Sequence, residues 1–192
     1  RLRRYDAWGE VTRGDDGVFF ARFTVGPSAN SLEACLRIAI SAALPSTGAM
    51  LMHSSAVRLD GKALVFSGVS GAGKSTISEL LATREGLEKL ADELLLVQAP
   101  RAPGQAWTLI VAPFLGAAGL PHGTAWPLAA LHLLIQAPVH HKRRLPLGAA
   151  VREVMKHILV YTGLPGTAEA VLGLAARLCA EVPVYALEFE LQ

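Results

Sequence analysis

The segment Gly68-Val-Ser-Gly-Ala-Gly73-Lys74-Ser75 constrains this chain more than any other. It matches the pattern GxxxxGK[ST] at every fixed position, between a β-like run, Ala63 to Phe66, and a helix-like run that starts at Ser75. Glycines let such a loop turn its N–H groups inward, in conformations that a Cβ resists. A helix opening directly after it adds unpaired N–H groups and a favourable dipole for an anion. Gly68, Val69, Ser70, Gly71, Ala72, Gly73, Lys74, Ser75 and Thr76 are therefore the candidate nucleotide-binding residues. Lys74 is the mobile cation for the β- and γ-phosphates, and Ser75 offers a hydroxyl to Mg²⁺. The expected cofactors are ATP and Mg²⁺, with GTP or pyrophosphate left open as donor. The competing reading is a glycine-rich turn followed by a chance Lys-Ser.

Eighteen residues after the lysine stands the pair Asp92-Glu93. An enzyme with such a loop needs an acid near the γ-phosphate, to hold the metal or to orient the attacking group. Asp92 is expected at the end of the strand that follows the loop's helix, on a strand adjacent to the one before the loop. It is the candidate catalytic base, since Asp is a usual choice for taking a proton from a hydroxyl. Asp92 and Glu93 are, with Ser75, the candidate metal ligands, although neighbours in one strand point apart. The alternative makes Asp92 a turn or helix cap. His53 is the third catalytic candidate beside Asp92 and Lys74. Asp60-Gly61 signals a hairpin, whose register puts Val57 opposite Leu64 and His53 beside the glycine loop. A structural histidine is the competing reading.

The rest of the chain reads as mixed α and β. "GVFFARFTV" is a strand after the turn "GDDG". Ser31 to Leu44 carries a helical apolar stripe with Ser31 as N-cap. Ser75 to Leu90 reads as a helix, with "KLAD" as a short buried strand. "ELLLVQA" and "AWTLIVA" form a second hairpin around "PRAPGQ". Residues 113–127 read as a Gly/Pro-rich loop, and "PLAALHLLIQ" is either helix or strand. "LGAAVREVMKHILVYT" and "GTAEAVLGLAARLCAEV" read as amphipathic helices, the second capped by Thr167, and "VPVYALEFEL" as a terminal strand. "VHHKRRLP" is the densest basic cluster. It reads as a solvated loop, or as a contact for phosphate or an acidic substrate through Arg143 and Arg144. Adjacent His140 and His141 without a third ligand are a weak metal signal.

Composition narrows the partners. The chain has 192 residues, enough for one domain with a sizeable core. A net charge of +2 is too small to argue for nucleic acid, and "RLRRY" is basic but short. The apolar stretches are too short and proline-broken to span a membrane. With 52% hydrophobic and 18% charged residues, the surface is expected to carry apolar area that a homo-oligomer would cover. Cys35 and Cys179 read as isolated buried thiols of a reducing compartment. The first residues lack the apolar core of a secretion signal, so a cytoplasmic protein is expected. The chain does not open on Met, and residues before Arg1 are expected.

"MHSSAVRLDGKALVFSGVSGAGKST…KLADE" resembles the catalytic domain of HPr kinase/phosphorylase, whose nucleotide-binding core is shared with phosphoenolpyruvate carboxykinases. The resemblance spans roughly residues 50–98, with "APFLG" and "VPVYALEF" in similar places. It implies an α/β fold with a P-loop core of that type, a mixed sheet, flanking helices and β-hairpins. It also implies one ATP-binding domain over 1–192, divided into N-terminal strands and helix (1–48), His strand, P-loop and acidic strand end (49–100), and a C-terminal part (101–192). By resemblance, residues of the loop bind nucleotide, Ser75 ligates Mg²⁺, Asp92 is the base and His53 sits near the reacting phosphate. Asp92-Glu93 stands where the family carries Asp-Asp, Thr76 stands where it carries an acid, and "FLGAAGL" lacks the family's downstream acidic metal ligand.

The expected activity is ATP-dependent phosphorylation of a hydroxyl, serine-like, on a peptide, protein or small molecule. Two other readings stay open. One is a nucleoside triphosphate hydrolase or switch. The other is a nucleotide-binding module that orders an interface without turnover.

Overall fold

A computed structural model of the protein describes residues 2–3, 6–112 and 123–190. In chain order the elements are β1 (Leu2–Arg3), β2 (Ala7–Arg13), β3 (Phe19–Val25), α1 (Ala29–Ala43), a 3-10 turn (Leu44–Thr47), β4 (Ala49–Leu59), β5 (Lys62–Ser67), α2 (Lys74–Ala82), β6 (Leu87–Ala91), β7 (Leu94–Gln98), β8 (Thr108–Val111), β9 (Ala125–Gln136), β10 (His141–Arg144), α3 (Leu147–Met155), α4 (Thr167–Glu181) and β11 (Val184–Phe189). The fold is mixed α/β, with a mixed and mostly antiparallel sheet and flanking helices.

The central hairpin forms where local chemistry demands it. Asp60 and Gly61 both take positive φ, 50° and 72°, the conformation that suits a two-residue turn between right-twisted strands. Its register follows, with Val57 opposite Leu64 and Ser54 opposite Ser67. Around it lies an eight-stranded sheet of order β10-β11-β9-β5-β4-β7-β8, with β6 paired to β4. The β5–β9 and β9–β11 pairs are parallel; the other pairs in this sheet are antiparallel. β9 also pairs with β8, so β9, β5, β4, β7 and β8 form a closed circuit. Two long strands make this closure: β4 and β9 change partners along their length.

Met50, Met52, Leu95, Val97, Leu109 and Leu131 lie in the principal core with Val154 of α3 and Leu178 of α4. Strand β4 is buried at eight of its first nine residues, and the exception is His53. A smaller three-stranded sheet, β1-β2-β3, packs against α1. In β2, Ala7, Gly9 and Val11 are buried and Trp8 faces out, the period-2 alternation of a half-covered sheet.

Several sequence expectations are corrected. The helix read as Ser75 to Leu90 ends at Ala82, because Gly86 turns the chain at φ 81° and Leu87 to Ala91 pair with β4. "PLAALHLLIQ", open between helix and strand, is strand, held on both sides by β5 and β11. The helix read as 147–162 stops at Met155, where Ile158 bridges to Met52 instead. Ser28 and Gly166 occupy the N-cap positions read as Ser31 and Thr167. The Ser31 hydroxyl binds the Asp6 carboxylate instead. The basic cluster is no loop: His141 to Arg144 form the exposed edge strand β10. Of the loop read as 113–127, residues 125–127 begin β9. Residues 113–122, including most of "APFLG" and all of "FLGAAGL", lie outside the described residues, as do the side chains of "RLRRY". Both cysteines are buried. No helix among the described residues is long and apolar enough to cross a membrane.

Candidate functional site

The glycine loop connects the end of β5 to the start of α2. Its close packing needs the first glycine, since a Cβ on Gly68 would lie 2.7 Å from the Ala72 Cβ and 3.3 Å from Leu134. Gly73 takes φ 91° as the N-cap of α2, a left-handed conformation that glycine adopts freely. Gln136, the last residue of β9, donates from Nε2 to the Gly71 carbonyl at 2.8 Å and ties the loop tip to the sheet. The Ser55 hydroxyl donates to the Lys74 carbonyl at 2.8 Å from beneath.

Lys74, the first residue of α2, is buried, with 9% of its surface exposed. Its Nζ donates to the Gly68 carbonyl at 3.0 Å and the Val69 carbonyl at 3.2 Å, so the ammonium lies inside the curve of the loop. Burial lowers its pKa, and the negative charge of Asp92 opposes that shift. A partly desolvated cation enclosed by a loop at a helix N-terminus gives this place a potential favourable to an anion.

Asp92 follows β6 directly and meets the loop helix. The Ser75 Oγ donates to Asp92 Oδ1 at 3.0 Å, while Lys89 Nζ contacts Asp92 Oδ2 at 2.9 Å and Glu79 at 3.2 Å. The route differs from the expected one. β6 is not adjacent to β5: β4 lies between them and pairs with both. Since both neighbours run antiparallel to β4, their C-terminal ends still emerge on the same side.

Glu93 does not join this pair. Its carboxylate meets Arg37 of α1 at 3.0 Å, and its backbone takes φ 92°. His53 lies across the bend, exposed. Its backbone N–H donates to the His157 carbonyl at 2.7 Å, and the Ser54 N–H donates to the Glu93 carbonyl at 3.1 Å. Burial and then the charge of Lys74 lower the pKa of both His53 and His157.

On the loop's other side opens a cleft of about 590 Å³, bordered by Gly68 to Ala72. Its floor is apolar, with Leu133, Ile135, Leu145, Ala149 and Ala186, and its rim carries Arg143, Arg152, Lys156 and Glu153. Arg143 reaches this cleft and contacts Glu188 at 3.6 Å. Arg144 is not among the lining residues, as alternation along β10 requires. Sequence reasoning missed His157, Arg152, Lys156 and Gln136 at the cleft and Arg37 and Lys89 around the acid. The basic run of β10 was the one local signal for this side.

Ser75 and Asp92 suit Mg²⁺. That ion keeps several waters and is held by one or two protein oxygens together with substrate phosphates. A hydroxyl and a carboxylate that converge beside the glycine loop would supply that donor set, and no cluster of three or more His, Cys, Asp or Glu able to hold a metal occurs among the described residues.

No known family's sequence profile matches this chain, and no curated protein matches it. Among solved structures, the chain is similar to the Hpr(Ser) kinase/phosphatase from Coxiella burnetii, at 11% identity and a TM-score of 0.38, over 74% of this chain and 86% of that one.

Proposed function

We propose that the protein binds ATP with Mg²⁺ on the loop 68–76 and transfers the γ-phosphoryl group to a hydroxyl acceptor, a peptide, protein or small molecule. The observation that carries this reading is the contact of Ser75 with Asp92, which puts a carboxylate at the mouth of an anion-binding loop. The triphosphate would lie over the loop with its nucleoside in the apolar cleft, so that the γ-phosphate reaches Lys74, Ser75 and Asp92. Lys74 and the N–H groups of the loop orient the phosphates. Ser75 and Asp92 would hold Mg²⁺, which would supply charge neutralisation to the triphosphate. The acceptor oxygen forms its bond to phosphorus as the bond to the β-phosphate oxygen breaks. ADP leaves, and the hydroxyl proton passes to Asp92.

One observation favours a second reading. Both carboxylate oxygens of Asp92 are engaged, by Ser75 and by Lys89, which suits holding the metal alone better than also taking a proton from an acceptor hydroxyl. In that case water is the acceptor and the protein is a nucleoside triphosphate hydrolase. Product analysis separates the two: phosphorylated acceptor for a kinase, free phosphate alone for a hydrolase, unchanged ATP for a binding module.

The test uses two variants. Lys74→Ala weakens ATP binding by about 2–4 kcal/mol, measured by calorimetry, because a desolvated charge contact to phosphate is lost. Unchanged affinity in a folded variant refutes the loop's role. Asp92→Asn keeps ATP affinity within about tenfold and lowers turnover by about 10²–10⁴ if the carboxylate is the base. Collapse of metal-dependent binding with normal turnover per bound ATP makes it a metal ligand only, not the base.

A further inference from the structure

Helix α1 belongs to the N-terminal part of the chain, yet it reaches the acidic bend. Arg37 contacts Glu93 at 3.0 Å, and its own position is set by Glu33, whose carboxylate accepts from Arg37 Nε at 3.0 Å one helical turn away. Glu93 is the residue on which the bend turns. β6 and β7 lie along one strand, β4, and in nearly continuous register: Ala91 pairs with Ala56 and Leu94 with His53. Two residues, Asp92 and Glu93, therefore stand opposite two, Ser55 and Ser54, and nothing in the register forces a break. The break comes from Glu93 at φ 92°, a conformation that residues with a Cβ rarely take. The faces do not change across the bend: odd-numbered Ala91, Leu95 and Val97 all lie in the principal core, and even-numbered Leu90 joins them through a register shift between Ala56 and Val57. Asp92, opposite Ser55, therefore stands on the side of α2, where Ser55 holds the Lys74 carbonyl and Asp92 meets Ser75. An uninterrupted strand would aim Glu93, opposite Ser54, at the core face that Met52 and Ala56 share; the bend turns it out to Arg37 and fixes the backbone beside Asp92.

Backbone strain of this kind persists only where surrounding contacts over-determine it. Two such contacts meet on Glu93: the Ser54 N–H on its carbonyl at 3.1 Å and Arg37 on its carboxylate. We infer that Arg37 is a positioning residue for the metal-holding pair Ser75–Asp92. Through Glu93 it makes the competence of the site depend on α1. Glu93 itself serves this tie and is not a metal ligand. The inference rests on the nucleotide reading above.

The experiment titrates Mn²⁺ against nucleotide binding, using a fluorescent ADP analogue in the full chain, with metal-free binding measured alongside. Thermal melts check folding. Arg37 acts here through Glu93 and not on the phosphates, so metal-free ADP affinity in Arg37→Ala is expected to stay within about twofold, while the Mn²⁺ concentration at half-effect rises about tenfold, the usual worth of a residue that orients a metal ligand. Arg37→Lys recovers most of the shift. Glu93→Gln, which also serves should Arg37→Ala not fold, reproduces it, and the double variant is no worse than either single one. Wild-type Mn²⁺ dependence in folded Arg37→Ala or Glu93→Gln overturns the inference and leaves the nucleotide site standing. Additive shifts in the double variant overturn it too, because Arg37 would then act by another route. Absence of ADP binding in the wild type removes the nucleotide reading, and this inference with it.

Discussion

His132 shows how burial sets the behaviour of a single side chain. Its ring stacks between Phe66 at 5.2 Å and Tyr185 at 5.5 Å, and its Nδ1 is buried without a hydrogen-bond partner among the described residues. Burial, aided by the nearby Lys142 charge, pulls its pKa from 6.5 down to about 4. The folded protein therefore resists protonation that the unfolded chain accepts. Stability is unaffected by this group above pH 6.5, falls as the pH drops below it, and the loss is complete below about pH 4. The full loss is about 3 kcal/mol from that difference in pKa. Urea unfolding of His132→Phe, followed between pH 7 and 4, is expected to show a flatter pH dependence than the wild type. The slope is the readout, because the larger ring changes packing at every pH. An identical slope in the two proteins rejects this role for His132.

At the scale of elements, glycine positions separate loops that need them from helices that do not. Gly68→Ala drives a Cβ against Ala72 and the β9 residue Leu134, so the loop or the strand must move. A cost of about 1–3 kcal/mol in stability is expected, together with weaker ATP binding. Gly173 lies inside α4, and beyond its own helix backbone no atom of the described residues comes within 4 Å of where its Cβ would sit. Gly173→Ala is expected to stabilise the protein by about 0.5–1 kcal/mol, since alanine loses less conformational entropy in a helix. Chemical denaturation of the two variants checks both signs. A neutral Gly68→Ala with full ATP affinity argues against the tight loop geometry. The second hairpin belongs to this scale as well: β7 and β8 pair as the apolar runs on either side of "PRAPGQ" predict, with Leu95 opposite Val111.

For the molecule as a whole, the surface carries large apolar side chains on several elements: Trp8, Phe20, Leu32, Leu36, Leu80 and Leu172 are each exposed. Trp8 and Phe20 share the outer face of the small sheet, where Trp8 pairs with Thr24 and Phe20 with Thr12. With 18% charged residues to keep copies apart, self-association is the expected behaviour. Sedimentation across micromolar concentrations is expected to show a dimer or larger species, and a monomer throughout that range rejects it.

What the sequence determined by itself was local in its physics. The tight glycine loop between β5 and α2, the Asp60-Gly61 turn and the register that follows from it depend on backbone conformations within a few residues, and glycine and aspartate advertise these directly. The strand identity of β9 was ambiguous because its middle, residues 128–134, is apolar but for His132 and covered on both faces, so it has no period to read. The acid's position was legible as proximity but not as geometry, since β4 inserts between β5 and β6 and only the whole sheet specifies that. His157, Arg152 and Lys156 reach the cleft because α3 stops at Met155 and the chain turns back to bridge β4. Arg37 reaches Glu93 across fifty-six residues of sequence. Contacts of that span arise from packing an entire sheet and its helices together, and only the tertiary structure decides them.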